Sequence, residues 1–84
     1  MEIIDVSDQI DANEFGIKKF IDAGNKYYAV IQPYGANYKI EISASDYHKA
    51  LRAYYRSKSI SCYPIDGNLV GDTFENATYE IDIF

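Results

Sequence analysis

The sequence predicts an α+β domain. It would be an antiparallel sheet of four to five strands with two helices on one face, in the order β-α-β-β-α-β-β. Two segments, "NYKIEIS" (37–43) and "ATYEIDIF" (77–84), alternate apolar and polar residues with the period of a half-buried strand. Between them, "DYHKALRAYYR" (46–56) places Tyr47, Ala50, Leu51 and Tyr54 at the spacing of a buried helical stripe. A sheet with one wet face and one face covered by helices accounts for both patterns.

Taken in order, "EIIDV" (2–6) is apolar and β-branched and reads as a short strand. "DANEFGIKKFIDAG" (11–24) then reads as a helix. Asp11 or Asn13 caps it, Ile17, Phe20 and Ile21 recur on one face, and Gly24 suits the residue just past its end. Glu14 and Lys18 sit four apart in the favourable order, while Gly16 weakens the helix. "KYYAVIQ" (26–32) and residues 37–43 form a hairpin turning at Pro33 and Gly35. Its second strand turns Tyr38, Ile40 and Ile42 inward and Lys39, Glu41 and Ser43 to water.

Ser43 and Asp46 make a loose capping box for a second helix over about 45–57. "SISCYPI" (59–65) reads as a strand ended by Pro64, and residues 66–77 as a polar connecting loop. The last strand, 77–84, carries Tyr79, Ile81 and Ile83 inward. The first six elements follow the split βαβ order of ferredoxin-like folds. The expected core joins the inward residues of these strands to Phe20, Leu51 and Tyr54.

Eighty-four residues make one domain, spanning 1–84. Nine tyrosines and four phenylalanines, without tryptophan, supply much of the apolar bulk. Tyrosine rings bury while their hydroxyls stay wet, so several are expected at the surface as contact residues. Cys62 is the only cysteine, which excludes an intramolecular disulfide and suits a reducing compartment. "MEIIDVSDQID" lacks the basic and apolar regions of a signal peptide, and no apolar run has the length of a membrane span. These features predict a soluble cytoplasmic protein.

The net charge of −5 hides an arrangement. Residues 1–14 hold five acids (Glu2, Asp5, Asp8, Asp11, Glu14) and no base. Residues 66–84 hold five more (Asp66, Asp72, Glu75, Glu80, Asp82), again without a base. All eight bases fall in residues 15–65, against Asp22, Glu41 and Asp46. If the C-terminal strand pairs beside the N-terminal one, both acid blocks gather on one side of the sheet.

Catalysis finds little support. His48 is the one side chain titrating by default near neutrality, yet it lies on the basic side of a helix with no nucleophile motif near it. "DGNLVGDTFENA" (66–77) has the spacing of a calcium loop at Asp66, Asn68 and Gly71, but Val70 takes a ligand position and Ala77 replaces the closing glutamate. No cofactor or metal is expected. Leu69, Val70 and Phe74 are unusual in a connecting loop and either tuck under it or reach toward a partner.

Two binding surfaces remain. A basic ridge of His48, Lys49, Arg52 and Arg56 could grip phosphates, although solvated cationic helix faces are common and both chain ends repel nucleic acid. An acidic surface of Asp8, Asp11, Glu14, Asp72, Glu75, Glu80 and Asp82 presents spaced negative charges, as a nucleic-acid backbone does. Solubility alone is the ordinary role of such charge.

The sequence therefore reads as a small acidic, non-enzymatic domain, monomeric or homodimeric, that binds a protein partner with a basic surface. In size, acidity and its lysine-, isoleucine-, asparagine- and tyrosine-rich composition it resembles phage-encoded inhibitors. Anti-CRISPR proteins and other anti-defence proteins belong to that class. The likeness lies in composition, not in an alignable motif. It implies a DNA mimic acting in the host cytoplasm, occluding the basic cleft of a nucleic-acid-binding defence complex. The alternatives are a nucleic-acid-associated domain using helix 46–58, and an assembly protein that self-associates through an edge strand.

Overall fold

Strand pairing dominates the chain far more than the sequence patterns suggest. The computed structural model describes residues 1–7 and 13–84. Its elements are β1 (Glu2–Asp5), β2 (Lys19–Asp22), β3 (Tyr27–Ile31), β4 (Tyr38–Ile42), α1 (Ala44–Tyr55), β5 (Ile60–Val70) and β6 (Thr73–Ile83). They form a six-stranded mixed sheet in the order β1-β2-β3-β4-β6-β5, with β4 and β6 parallel and every other pair antiparallel. The expected antiparallel sheet with two helices on one face is thus corrected to a mixed sheet and one helix. The ferredoxin-like order fails with it, because β6 inserts between β4 and β5 and does not lie beside β1.

Residues 15–17 close the sheet on itself. Gly16 stands opposite Ser61, the Ile17 N–H donates to the Ile60 carbonyl, and the Cys62 N–H donates to the Phe15 carbonyl, both at 2.9 Å. The result is a barrel with α1 across one end. Counted from β2, the strand order, the single parallel pair and the helix position match the Greek-key connectivity of OB-type barrels, with β1 added outside. Connectivity of this kind hosts many functions and assigns none.

The segment read as the first helix shows why it folds as strand. Asn13 Oδ1 accepts the Phe15 N–H at 2.9 Å, a local turn that competes with helix formation. Its Nδ2 donates to Ser61 Oγ at 3.0 Å and to the Tyr63 hydroxyl at 2.9 Å, fastening the turn to β5. Gly16 is buried and bridges Ser61 as a strand residue does. Beyond it the period is two: Phe20 is fully buried and Ile21, next to it, is not. Gly24 takes a left-handed φ of 93° in the β2–β3 turn and caps no helix.

The polar loop expected over 66–77 is also absent. β5 and β6 make a long hairpin around the two-residue turn Gly71–Asp72, where glycine supplies the left-handed φ of 63°. The register shifts between Pro64 and Asp66, where β5 carries the extra residue, and again between Asp66 and Asn68, where β6 does. Gly67 stands opposite the second of these, where a β-carbon would lie 2.8 Å from the Ala77 α-carbon. Pro64 therefore sits inside a strand and does not end it.

The interior follows the expected alternation. Ile40 and Ile42 are buried, while Tyr38, Tyr79, Ile81 and Ile83 pack against the core from its margin. Helix α1 contributes Tyr47, Ala50 and Ala53 as its buried face, and Leu51 and Tyr54 are only partly covered. The Tyr47 ring meets Phe20 edge-on at 5.6 Å and Tyr27 at 4.6 Å, plugging the barrel end.

The helix is tied to β6 through its N-terminus. Ser43 Oγ accepts the Asp46 N–H at 3.0 Å, as the capping pattern predicts. The reciprocal half runs through a third residue: the Ser43 N–H donates to the Tyr79 hydroxyl at 2.9 Å, which donates to Asp46 Oδ2 at 2.6 Å. Burial pushes the Tyr79 hydroxyl pKa upward, and its bond to Asp46 adds to the rise. Tyr79→Phe removes both bonds at little cost in packing. It should lower stability by about 1–2 kcal/mol in urea denaturation. An unchanged midpoint would mean that the hydroxyl does not hold the helix to the sheet.

Candidate functional site: an apolar groove at one end of the barrel

The two ends of the barrel differ in chemistry. The end away from α1 gathers the start of the closing segment, the end of β3, the start of β4 and the outer half of the β5–β6 hairpin. The hairpin and β4 bring Pro64, Leu69, Phe74 and Tyr38 together, with Tyr38 and Phe74 rings 5.7 Å apart. Phe15 approaches from the closing segment and touches Tyr63 at 5.0 Å, and Pro33 and Tyr34 complete the wall. These side chains line an open groove of about 240 Å³ that includes no charged residue. Ile65, Leu69 and Val70 leave half or more of their surface in water beside it.

Tyr34 is the most unusual residue of this end. It adopts a left-handed backbone, φ 56° and ψ 26°, and is 91% exposed. A bulky residue in that region costs about 1–2 kcal/mol relative to its right-handed form. No packing of the ring offsets this, because the ring stands in solvent at the groove.

Several acids lie on the segments that supply the groove. Glu14 lies against the Pro33 turn: its carbonyl accepts the Gln32 N–H at 3.0 Å, and its carboxylate faces the Tyr34 N–H at 3.4 Å. Asp72 stands at the hairpin tip and Glu75 next to Phe74, while Asp66 precedes Gly67 and accepts its N–H at 2.8 Å. Lys39 follows Tyr38 on β4, and its ammonium lies over the outward Tyr28 ring at 5.5 Å.

Of the acidic residues expected from sequence, Glu14, Asp72 and Glu75 lie on the segments of the groove end, Asp66 with them, although strand alternation turns Glu75 to the face of β6 opposite Phe74. Glu80 and Asp82 do not lie there. They sit opposite Tyr63 and Ser61 on the outward face of β6, nearer the helix. Asp8 and Asp11 lie outside the described residues. The expected gathering of both chain ends beside one another fails at the strand level, because β1 and β6 lie far apart in the sheet order.

At the opposite end, Lys49, Arg52 and Arg56 of the expected ridge come together with Lys58 around Ala53 and Ile83, in a cleft of about 240 Å³ with no acid in its lining. His48 points elsewhere, its ring packed on Tyr27 at 5.6 Å and Tyr47 at 5.2 Å. The charge blocks of the sequence are thus not kept apart: Asp46 lies on the helix, with Glu80 and Asp82 nearer it than the groove.

No family model matches the chain. Comparison with curated proteins and with solved structures likewise returns no match.

Cys62 takes no part in either. It is fully buried in the barrel, and burial pushes its thiol up to about 12, with the Asp46 carboxylate adding to the shift. The neutral thiol adds stability that is complete below an unfolded thiol's pKa of about 8.5 and is lost as pH rises toward 12. At pH 8 a thiol reagent should leave the native chain unmodified and label it once urea unfolds it. Rapid labelling of the folded protein would place the sulfur at the surface. No helix among the described residues is long and apolar enough to cross a membrane.

Proposed function

We propose that this protein is a non-enzymatic binding domain that docks the groove end of its barrel onto a basic surface of a protein partner. The observation that carries this reading is the uncharged groove, with the Glu14 carboxylate against its Tyr34 wall and no base anywhere in residues 66–84. An apolar centre with polar groups at its margin is the usual anatomy of a protein interface. The acids steer a basic partner and reject an acidic one. Basic protein surfaces of this kind hold nucleic-acid phosphates, so occupying one blocks nucleic acid from it. That mechanism is the inhibitor role suggested by size and composition, of the anti-CRISPR or another anti-defence kind, acting in the host cytoplasm.

The test uses three baits in parallel: the native chain, Asp66→Lys/Asp72→Lys/Glu75→Lys, and Arg52→Glu/Arg56→Glu. A basic protein should be retained by the native chain and by the arginine variant, elute with salt, and be lost by the hairpin variant. Equal retention on all three baits would refute the reading.

A second reading is supported by the cationic cleft of Lys49, Arg52, Arg56 and Lys58: the helix end would hold the phosphates of a nucleic acid. The overall charge of −5 works against it. Titration with labelled single- and double-stranded oligonucleotides should give only weak binding. Submicromolar affinity at physiological salt, lost in Arg52→Glu/Arg56→Glu, would put this reading first.

A further inference from the structure

We infer that the groove is built for a proline-containing, basic segment of the partner, bound in extended polyproline-II form. This rests on the protein-binding reading above and adds the chemistry of the ligand. The groove is open and about 240 Å³ in volume, room for a few side chains of a docked segment.

Strand addition, the other extended mode, is opposed by the adjoining edge of β5. Pro64 offers no N–H there. The register shifts between Pro64 and Asp66, and between Asp66 and Asn68, break the even ladder that an added strand needs. Recognition must therefore come from side chains. The available walls are the flat rings of Tyr34, Tyr38, Phe15 and Phe74 and the rings of Pro33 and Pro64. Aromatic-lined grooves take polyproline-II segments because that helix is already extended and loses little entropy on docking. Its three-residue turn, rising about 3.1 Å per residue, returns to the same side roughly every 9 Å.

The charge of the segment follows from the acids beside the groove. Lysine or arginine flanking the prolines would meet Glu14, whose carboxylate faces the Tyr34 N–H, and Asp72, whose carbonyl accepts the Lys39 N–H beside Tyr38, whereas a second copy of this chain would bring its own acids against them. Tyr34 fits as the exposed wall: its left-handed backbone turns the ring outward at the groove margin, ready to stack on a proline.

The experiment titrates the isotope-labelled full chain with three synthetic peptides. One repeats Pro-x-x-Pro with arginine flanks, one replaces each proline by alanine, and one replaces each arginine by glutamate. The first should shift the amides of Tyr34, Tyr38, Leu69 and Phe74, and the other two should bind at least tenfold more weakly. Tyr34→Gly should weaken the first peptide about tenfold while its thermal midpoint stays level or rises, since glycine relieves the left-handed strain. Equal binding of the proline and alanine peptides, or shifts confined to residues 49–58, would overturn the inference. If no peptide binds while a basic partner is still lost on hairpin charge reversal, this inference falls and the protein-binding reading stands.

Discussion

Phe20→Ala should leave the protein largely unfolded, whereas Ile21→Ala, one residue along, should be tolerated. Phe20 is completely buried, lies across from Ala29 in the β2–β3 pairing, and receives the Tyr47 ring edge-on at 5.6 Å. Truncating such a side chain costs about 3–5 kcal/mol through lost transfer energy and the cavity left behind. A core this small contributes about that much net stability in total. Ile21 faces outward beside Ile3 and Tyr28, so its truncation should cost about 1 kcal/mol or less. Urea denaturation of both variants measures the contrast. Equal losses would restore the helical reading of residues 11–24, in which both side chains share one face.

The second large effect concerns binding. Asp66→Lys/Asp72→Lys/Glu75→Lys should abolish association with a basic partner while moving the thermal midpoint only modestly. Asp66 and Asp72 are exposed and Glu75 is partly covered, and exposed charges contribute about 0–1 kcal/mol each to stability. Steering depends on them directly, so the association rate should fall steeply and the native complex should weaken with salt. Glu80→Lys/Asp82→Lys reverses two charges instead of three, on the outward face of β6 and away from the groove. It should slow association far less. Matching losses from the two variants would mean that net charge, not the groove end, sets the affinity.

Much of this architecture was legible in local pattern. The β3–β4 hairpin, helix α1 and the last strand are set by alternation, turn residues and the Ser43 cap, all within a few positions of one another. The parts that were not legible depend on residues distant in sequence. Ile17, Phe20 and Ile21 satisfy a helical spacing as well as Phe20 satisfies a strand, and what decides is the attachment of Asn13 and Gly16 to Ser61. No local signal announces the parallel pairing of Lys39 with Thr73 and Ile40 with Phe74 that inserts β6 into the sheet.

The site was half visible. Asp72 and Glu75 belong to an acid block evident from charge alone, and apolar Leu69, Val70 and Phe74 were out of place in a polar loop. The proline and glycine residues that suggested a loop are accommodated by the register shifts of the β5–β6 hairpin. Tyr34 gave no warning, because Pro-Tyr-Gly reads as an ordinary turn until the left-handed φ at its tyrosine is seen.

The most direct test of the account is amide chemical-shift mapping of the labelled chain against two probes in parallel, an oligoarginine peptide and a single-stranded oligonucleotide. The account predicts that the basic peptide perturbs residues 14–15, 33–39 and 64–75, that salt reverses the effect, and that the oligonucleotide leaves those residues unmoved. Tight oligonucleotide binding centred on Lys49, Arg52, Arg56 and Lys58, with no response to the basic peptide, would contradict it.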